Sequence, residues 1–240
     1  MPRARRSVSN TQADRAGETY RAFHAATPGE RRRLISRFLR ALVVIRNYRA
    51  LHAYPLRKVT MGVRQMIETE LGPDPPRPGQ RFKRMDRILP KLVRFPHMRL
   101  SQMEDIGGCR AVFETLDDLY TVAGRIRHRW GARIRMTDHI REPKQDGYRA
   151  LHIIERRDGR LIEVQLRTER QHEWASAVEA AAAATGFNLK DGDGPDDLRR
   201  YFAMAAERLA TEDQGEGPDP AIEEEFTRLR EDVRHYFRRR

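Results

Sequence analysis

Two β-type runs around a tight turn constrain this chain more than any other feature. Ala150–Glu155 and Leu161–Arg167 flank Arg157-Asp158-Gly159, and Asp-Gly between such runs predicts a β-hairpin. Period-2 alternation splits the second run into two faces. Ile162, Val164 and Leu166 point one way, into a core, while Glu163, Gln165 and Arg167 point the other way. A carboxylate, an amide and a guanidinium in one row are costly to bury unpaired, so that face is either wet or a site. Ahead of the hairpin lies Pro143-Lys144-Gln145-Asp146-Gly147-Tyr148. Its Pro and Gly mark an irregular loop, which carries a cation and an aromatic ring beside the strand that bears His152.

The rest reads as helices around a few more strands. Thr11–Ala25 and Pro28–Ala50 look helical, the second opened by Thr27-Pro28 with Glu30. Leu34, Phe38, Leu42 and Ile45 recur there at helical spacing. Tyr54-Pro55 is expected to break that helix, with another near Val59–Leu71, and Gly72–Gly79, with four prolines, reads as a linker. Arg84–Arg94 reads as a helix that Pro90 should bend or end. Cys109–Glu114 and Arg133–Asp138 are expected strands, and Leu116–Trp130 an amphipathic helix. Glu169–Ala184 is helical and stopped by Gly186; a polar loop, Asn188–Pro195, leads to helices at Asp196–Leu209 and Ala221–Arg240. The fold class is therefore α+β, a mixed sheet carrying helices with helical extensions at both ends. The expected divisions are a disordered basic tail at 1–10, an N-terminal helical extension at 11–72, a core at 80–187 and C-terminal helices at 188–240.

Composition narrows the function classes. No run of about 18 apolar residues is present to span a membrane, and Met-Pro-Arg-Ala-Arg-Arg lacks the apolar core of a signal peptide. A cytoplasmic protein is the expectation. Cys109 is the single cysteine, which excludes a disulfide framework and a thiolate metal cluster and leaves a core thiol. Of the net charge of +12, residues 1–58 supply +11, with fourteen Lys/Arg against three Asp/Glu. Arg31, Arg32, Arg33, Arg37 and Arg40 fall within three turns of one helix, where they either bind the phosphates of an RNA partner or form a solvated face.

A second basic group, Arg81, Lys83, Arg87 and Lys91, lies in R-F-K-R-M-D-R-I-L-P-K. Arg87 and Lys91 share a helix face; Arg81 and Lys83 sit at its mouth, where backbone N–H groups also favour anions. Alone this is an ordinary basic helix face, just as Asp105 alone is a helix cap or surface acid. The run D-x-I-x-x-P-K-x-x-G-Y-R-x-L-H from Asp138, followed by E-V-Q-L-R-T and Q-H-x-W-A, changes that reading. It closely resembles the synthetase domain of the RelA/SpoT alarmone synthetases over about residues 81–175.

The resemblance implies a nucleotidyltransferase-like core that moves pyrophosphate from ATP to a ribose 3′-hydroxyl. Arg81, Lys83, Arg87, Lys91 and Arg110 would bind ATP, with Arg110 stacking on adenine. Asp105 and Glu163 would be catalytic and hold Mg²⁺, which needs one or two carboxylates plus phosphate oxygens; Glu163 would also activate the 3′-hydroxyl. Lys144, Tyr148, His152 and Gln165 would bind the acceptor, with Tyr148 stacking on guanine. Two departures stand out. Arg87 replaces the family's usual Ser, and after Trp174-Ala175 a histidine and a basic-aromatic pair give way to Ala180–Ala184 and Gly186. The His-Asp pair of the family's hydrolase domain is absent, since Asp138-His139 runs in reverse order. A small, synthetase-only member is expected.

Two enzymatic readings follow. One makes (p)ppGpp from ATP and GDP or GTP. The alternative is a toxin that pyrophosphorylates the 3′-terminal adenosine of tRNA and blocks translation, with an antitoxin protein as partner. The basic N-terminal block and the altered tail favour the second; family frequency favours the first. A non-enzymatic RNA-binding protein is disfavoured because Lys83, Asp105, Tyr148 and Glu163 are all present.

Overall fold

The hairpin predicted from Asp-Gly forms the centre of the sheet. A computed structural model describes residues 7–189, 192–215, 217 and 219–237. Strands β4 (Leu151–Arg157) and β5 (Arg160–Thr168) pair antiparallel about Asp158 and Gly159, at φ 50° and 74°. Two positive φ values make the turn type that matches strand twist. Strand β2 (Gly107–Phe113) lies parallel to β5, β1 (Gly79–Phe82) antiparallel to β2, and β3 (Ile134–Asp138) antiparallel to β4. The order is β1-β2-β5-β4-β3.

Alternation decides which face is covered. Cys109, Ala111, Phe113, Leu151, Ile153, Ile162, Val164 and Leu166 are buried against α3 (Ala53–Leu71) and α5 (Leu116–Trp130). The opposite face carries Gly108, Arg110, His152, Glu163 and Gln165. Burial of a large aliphatic side chain contributes roughly 1.5–3 kcal/mol, so a one-residue slip would strip this core and bury the polar row. Around the sheet, α1 (Asn10–Ala25), α2 (Pro28–Ala50) and α4 (Met85–Arg94) share one core. A third core joins α6 (Glu169–Thr185) to α7 (Asp196–Asp213) and includes Tyr148 and Val233, just beyond α8 (Pro220–Asp232).

Several sequence expectations need correction. Of the tail expected at 1–10, residues 1–6 lie outside the described residues. Val8 is buried, and Ser9 caps α1 in a reciprocal bond with Gln12. Arg160 holds this segment, donating to the Val8 carbonyl at 2.7 Å and to Asn10 Oδ1 at 2.7 Å. Pro55 does not delay α3, which starts at Ala53; Pro stands in the first turn, where its missing N–H has no intrahelical partner to lose. Pro90 does not end α4 either, because Ile88 and Leu92, both fully buried, anchor the helix on each side of it. Strand β1 has no counterpart among the expected strands: Gly79–Phe82 lacks apolar alternation and is held as an edge by pairing with β2. Helix α7 continues to Asp213, and the last helix gives way to a 3₁₀ turn at Val233–Phe237. Lys190 and Asp191 of the polar loop, and 238–240 of the last expected helix, lie outside the described residues.

Candidate active site

Register places the polar residues in two rows across the open face. Arg81, Gly108, Glu163 and Ile154 are successive cross-strand partners, as are Arg110, Gln165 and His152 in the next row. Gly108 faces Glu163 directly. A Cβ there would stand 3.2 Å from the Glu163 carbonyl oxygen and 3.9 Å from Oε2. The glycine thus keeps space open over the carboxylate, a use for Gly where another group must come close. A cleft of about 450 Å³ opens there, lined by Arg77, Arg81, Lys83, Asp105, Arg110 and Glu163 among others.

Glu163 is held at both oxygens. His152 Nδ1 lies 2.9 Å from Oε1, and Gln165 Nε2 donates to Oε2 at 2.8 Å. Burial pushes the Glu163 carboxyl up, but the hydrogen bonds from His152 and the Gln165 amide outweigh this and hold it below the ordinary glutamate range. It is therefore an anion at neutral pH. Gln165 Oε1 in turn accepts from Arg110 Nε at 3.3 Å and from an Arg167 Nη2 at 3.2 Å. Arg167 does not pair with Glu163 across the face; it bonds Gln165 and the Tyr148 hydroxyl instead.

Asp105 gathers the cations. Lys83 Nζ lies 2.6 Å from Oδ2 and Lys91 Nζ 3.2 Å from Oδ1. Burial raises this carboxyl, and the two ammonium groups, Lys83 first, bring it below the ordinary aspartate range. Lys83 is fixed at its backbone too, since its carbonyl accepts from Arg49 Nε at 2.6 Å, a link no sequence signal announced. Arg81 and Arg110 line the same cleft, and His172 Nδ1 lies 3.4 Å from an Arg110 Nη1. Arg87 is exposed and does not line it. Cys109 is inert by burial, its thiol pushed up to about 12.

The acceptor residues divide. His152 and Gln165 join Glu163, whereas Lys144 lines a neighbouring cavity of about 560 Å³ between its loop, α6 and α7. Tyr148 is only 7% exposed. Lys144 Nζ stands 5.0 Å from its ring centre and the Arg167 guanidinium also 5.0 Å, so two cations stand against the ring. Helix α7 clamps this loop: a Cβ on Gly147, at φ 85°, would come within 2.6 Å of Ala206 Cβ.

Of the basic helix residues, Arg31 is exposed but tied to the fold. It donates to the Phe23 and His24 carbonyls at 3.2 and 2.9 Å, closing the C-terminus of α1. Arg32, Arg33, Arg37 and Arg40 are exposed and form no ion pair among the described residues.

Could the cleft hold Mg²⁺? Two carboxylates line it, and no cluster of three or more His, Cys, Asp or Glu residues exists among the described residues. That donor set, beside the space left by Gly108, suits a hard cation delivered with phosphate oxygens rather than caged by protein.

Residues 80–184 match the model of the region found in RelA/SpoT proteins. Over this stretch the chain is similar to RelA/SpoT proteins. An uncharacterized protein of Mycobacterium tuberculosis is 33% identical over 119 residues, which is 49% of this chain and 44% of that protein. A probable chloroplastic GTP diphosphokinase of Arabidopsis thaliana is 30% identical over 115 residues, 47% of this chain and 15% of that one. The matches thus span less than half the length of these relatives. The fold extends further than the sequence match. Small alarmone synthetase 2 of Bacillus subtilis superposes with a TM-score of 0.57 at 24% identity, covering 71% of this chain and 94% of that one. Small alarmone synthetase 1 of the same organism, bound to its product pppGpp, gives 0.55 at 22%, covering 78% and 97%. The matched stretch holds nearly all of β1 to α6, and with them the cleft residues Arg81, Lys83, Asp105, Arg110, Glu163 and Gln165.

Proposed function

We propose that the protein transfers pyrophosphate from ATP to the ribose 3′-hydroxyl of GDP or GTP, making (p)ppGpp. The observation that carries this reading is the ionised Glu163, held at both oxygens and open to a cleft shared with Asp105 and four cations. The acceptor 3′-oxygen bonds the β-phosphorus of ATP while the bond from that phosphorus to the α–β bridging oxygen breaks. AMP leaves, and the hydroxyl proton passes to Glu163. Arg81, Lys83 and Lys91 take the triphosphate. Drawing Lys83 and Lys91 onto phosphate frees Asp105, and Asp105 with Glu163 would hold Mg²⁺, which supplies charge neutralisation on the phosphates. Arg110 presents a flat guanidinium for the adenine.

One observation favours a second acceptor. Arg32, Arg33, Arg37 and Arg40 are exposed along α2, which suits an RNA acceptor and transfer to the 3′-terminal adenosine of tRNA, with an antitoxin as partner. Purified protein with β-labelled ATP, offered GDP, GTP, AMP and deacylated tRNA in parallel, separates the readings. Label on GDP or GTP alone supports the first and label on tRNA alone the second; label on none overturns both.

A further inference from the structure

Arg167 is one of the most buried cations of the fold, at 3% exposure. Its Nε has no hydrogen-bond partner among the described residues. One of its terminal nitrogens donates twice, to the Tyr148 hydroxyl at 2.7 Å and to Gln165 Oε1 at 3.2 Å. Both contacts lead to Glu163. Through Gln165, the amide nitrogen reaches Oε2 at 2.8 Å. Through Tyr148, the hydroxyl lies 2.7 Å from His152 Nε2, and His152 Nδ1 lies 2.9 Å from Oε1.

Hydrogen-bond polarity fixes the direction of the longer arm. A guanidinium only donates, so the Tyr148 oxygen accepts from Arg167. An ionised carboxylate only accepts, so His152 Nδ1 carries a proton and donates it to Glu163. Between them the Tyr148 hydroxyl proton is left to point at Nε2, the remaining acceptor. Every polarity then agrees along Arg167, Tyr148, His152 and Glu163, and networks satisfied in this way hold one geometry.

We propose that Arg167 and Tyr148 are positioning residues, the root and one arm of a two-armed clamp that aims the Glu163 carboxylate into the cleft. The other arm is Gln165. Tyr148 therefore acts on Glu163 through its hydroxyl. This assigns Arg167, which the sequence shows only as a neighbour on the polar face of β5, a part in the reaction. It rests on the transfer proposed above, and one arm of the test does not depend on turnover.

Tyr148→Phe discriminates, since it keeps the ring and removes the hydroxyl. The expected result is a fall in kcat of about tenfold to a hundredfold with KM for ATP and acceptor nearly unchanged, the signature of a misaimed group. Arg167→Met should fall at least as far, with Arg167→Lys recovering part of the rate. Unchanged kcat in Tyr148→Phe, or an effect confined to acceptor KM, would overturn the proposal. Nitrogen-15 spectra of the His152 ring read the clamp without turnover. The wild type should show the Nδ1–H form alone, and Tyr148→Phe should lose that uniformity. A wild-type ring protonated at Nε2 and bare at Nδ1, or a Tyr148→Phe ring identical to wild type, overturns the clamp even where the variant Arg167→Met fails to fold. Absence of transfer in wild type, with the expected ring spectra, removes the proposed reaction and leaves the clamp standing.

Discussion

The molecule has two basic regions, and they are built differently. On α2, Arg32, Arg33, Arg37 and Arg40 extend from one exposed helix face. Around Asp105, Lys83 and Lys91 come from different elements, are partly buried and meet one carboxylate at 2.6 and 3.2 Å. The first arrangement needs only a helix; the second needs β1, α4 and the segment before β2 to converge. Isolated surface charges contribute little and are screened by salt, whereas charges fixed in a half-buried cleft act over short distances in a lower dielectric. Density of charge along the sequence is therefore a poorer guide to chemistry than convergence in space. Arg31 makes the same point, since it belongs to the densest cationic run and serves to close α1.

The comparison is tested most severely at the carboxylate that the cleft is built around. Glu163→Gln keeps the shape but removes the base and a metal ligand. Transfer should fall by about 10²–10⁴-fold, the usual contribution of a general base, measured as label transferred per minute at saturating substrates. A variant that kept half of wild-type turnover would move the chemistry elsewhere on the face.

The seam between the two regions gives the next largest effect. His52 joins α2 to α3, is 1% exposed, and its Nδ1 lies 3.0 Å from the Tyr48 carbonyl. Burial lowers it from 6.5 to about 4. Between those values the unfolded chain takes a proton that the folded chain refuses, so stability falls as pH drops from 6.5 towards 4. The loss amounts to about 3 kcal/mol for this group. Denaturant midpoints across that range should decline in wild type and decline less in His52→Gln. Parallel curves would show that the seam does not hold a neutral imidazole.

A smaller, selective change is expected at Lys83. Lys83→Ala removes a phosphate ligand and leaves Asp105 with Lys91 alone. Apparent ATP affinity should weaken by about tenfold or more, the worth of a charge-assisted hydrogen bond, while acceptor KM stays within twofold or so. A raised acceptor KM with unchanged ATP affinity would move Lys83 from the ATP subsite to the acceptor subsite of the open face.

Much of the fold and of the site is legible in the sequence, for a physical reason. The hairpin, its register and the polar row of β5 follow from period-2 alternation and turn chemistry, which are local. Asp105, Lys83 and Lys91 are legible through their resemblance to a motif, and the fold brings them to one point. The rest depends on long-range packing. The sequence of β1 carries no strand pattern, because an edge strand can be held by its neighbour alone. Nothing near Tyr148 announces that α7, some fifty residues on, packs against Gly147. The donation from Arg49 to Lys83 and the double donation from Arg167 are likewise invisible in spacing.

The smallest effect expected is on the helix with the densest charge. Arg32, Arg33 and Arg37 lie about 18–26 Å along α2 from Arg49, the residue that touches Lys83. A mononucleotide acceptor held in the cleft cannot reach them, whereas a tRNA acceptor stem can. Arg31 is left intact in the variant because its removal would loosen the α1–α2 turn. Changing Arg32, Arg33 and Arg37 together to Glu should leave Mg²⁺-ATP binding and transfer to GDP within about twofold of wild type, as surface charges screened beyond a Debye length of roughly 8 Å require. If tRNA is the acceptor, the same variant should modify it severely less, and the salt dependence of binding should flatten in step with the phosphates that are no longer neutralised. A variant that lost transfer to GDP would erase the contrast between the two basic regions. One that modified tRNA as well as wild type at physiological salt would make the α2 face a solvated surface with no part in substrate choice.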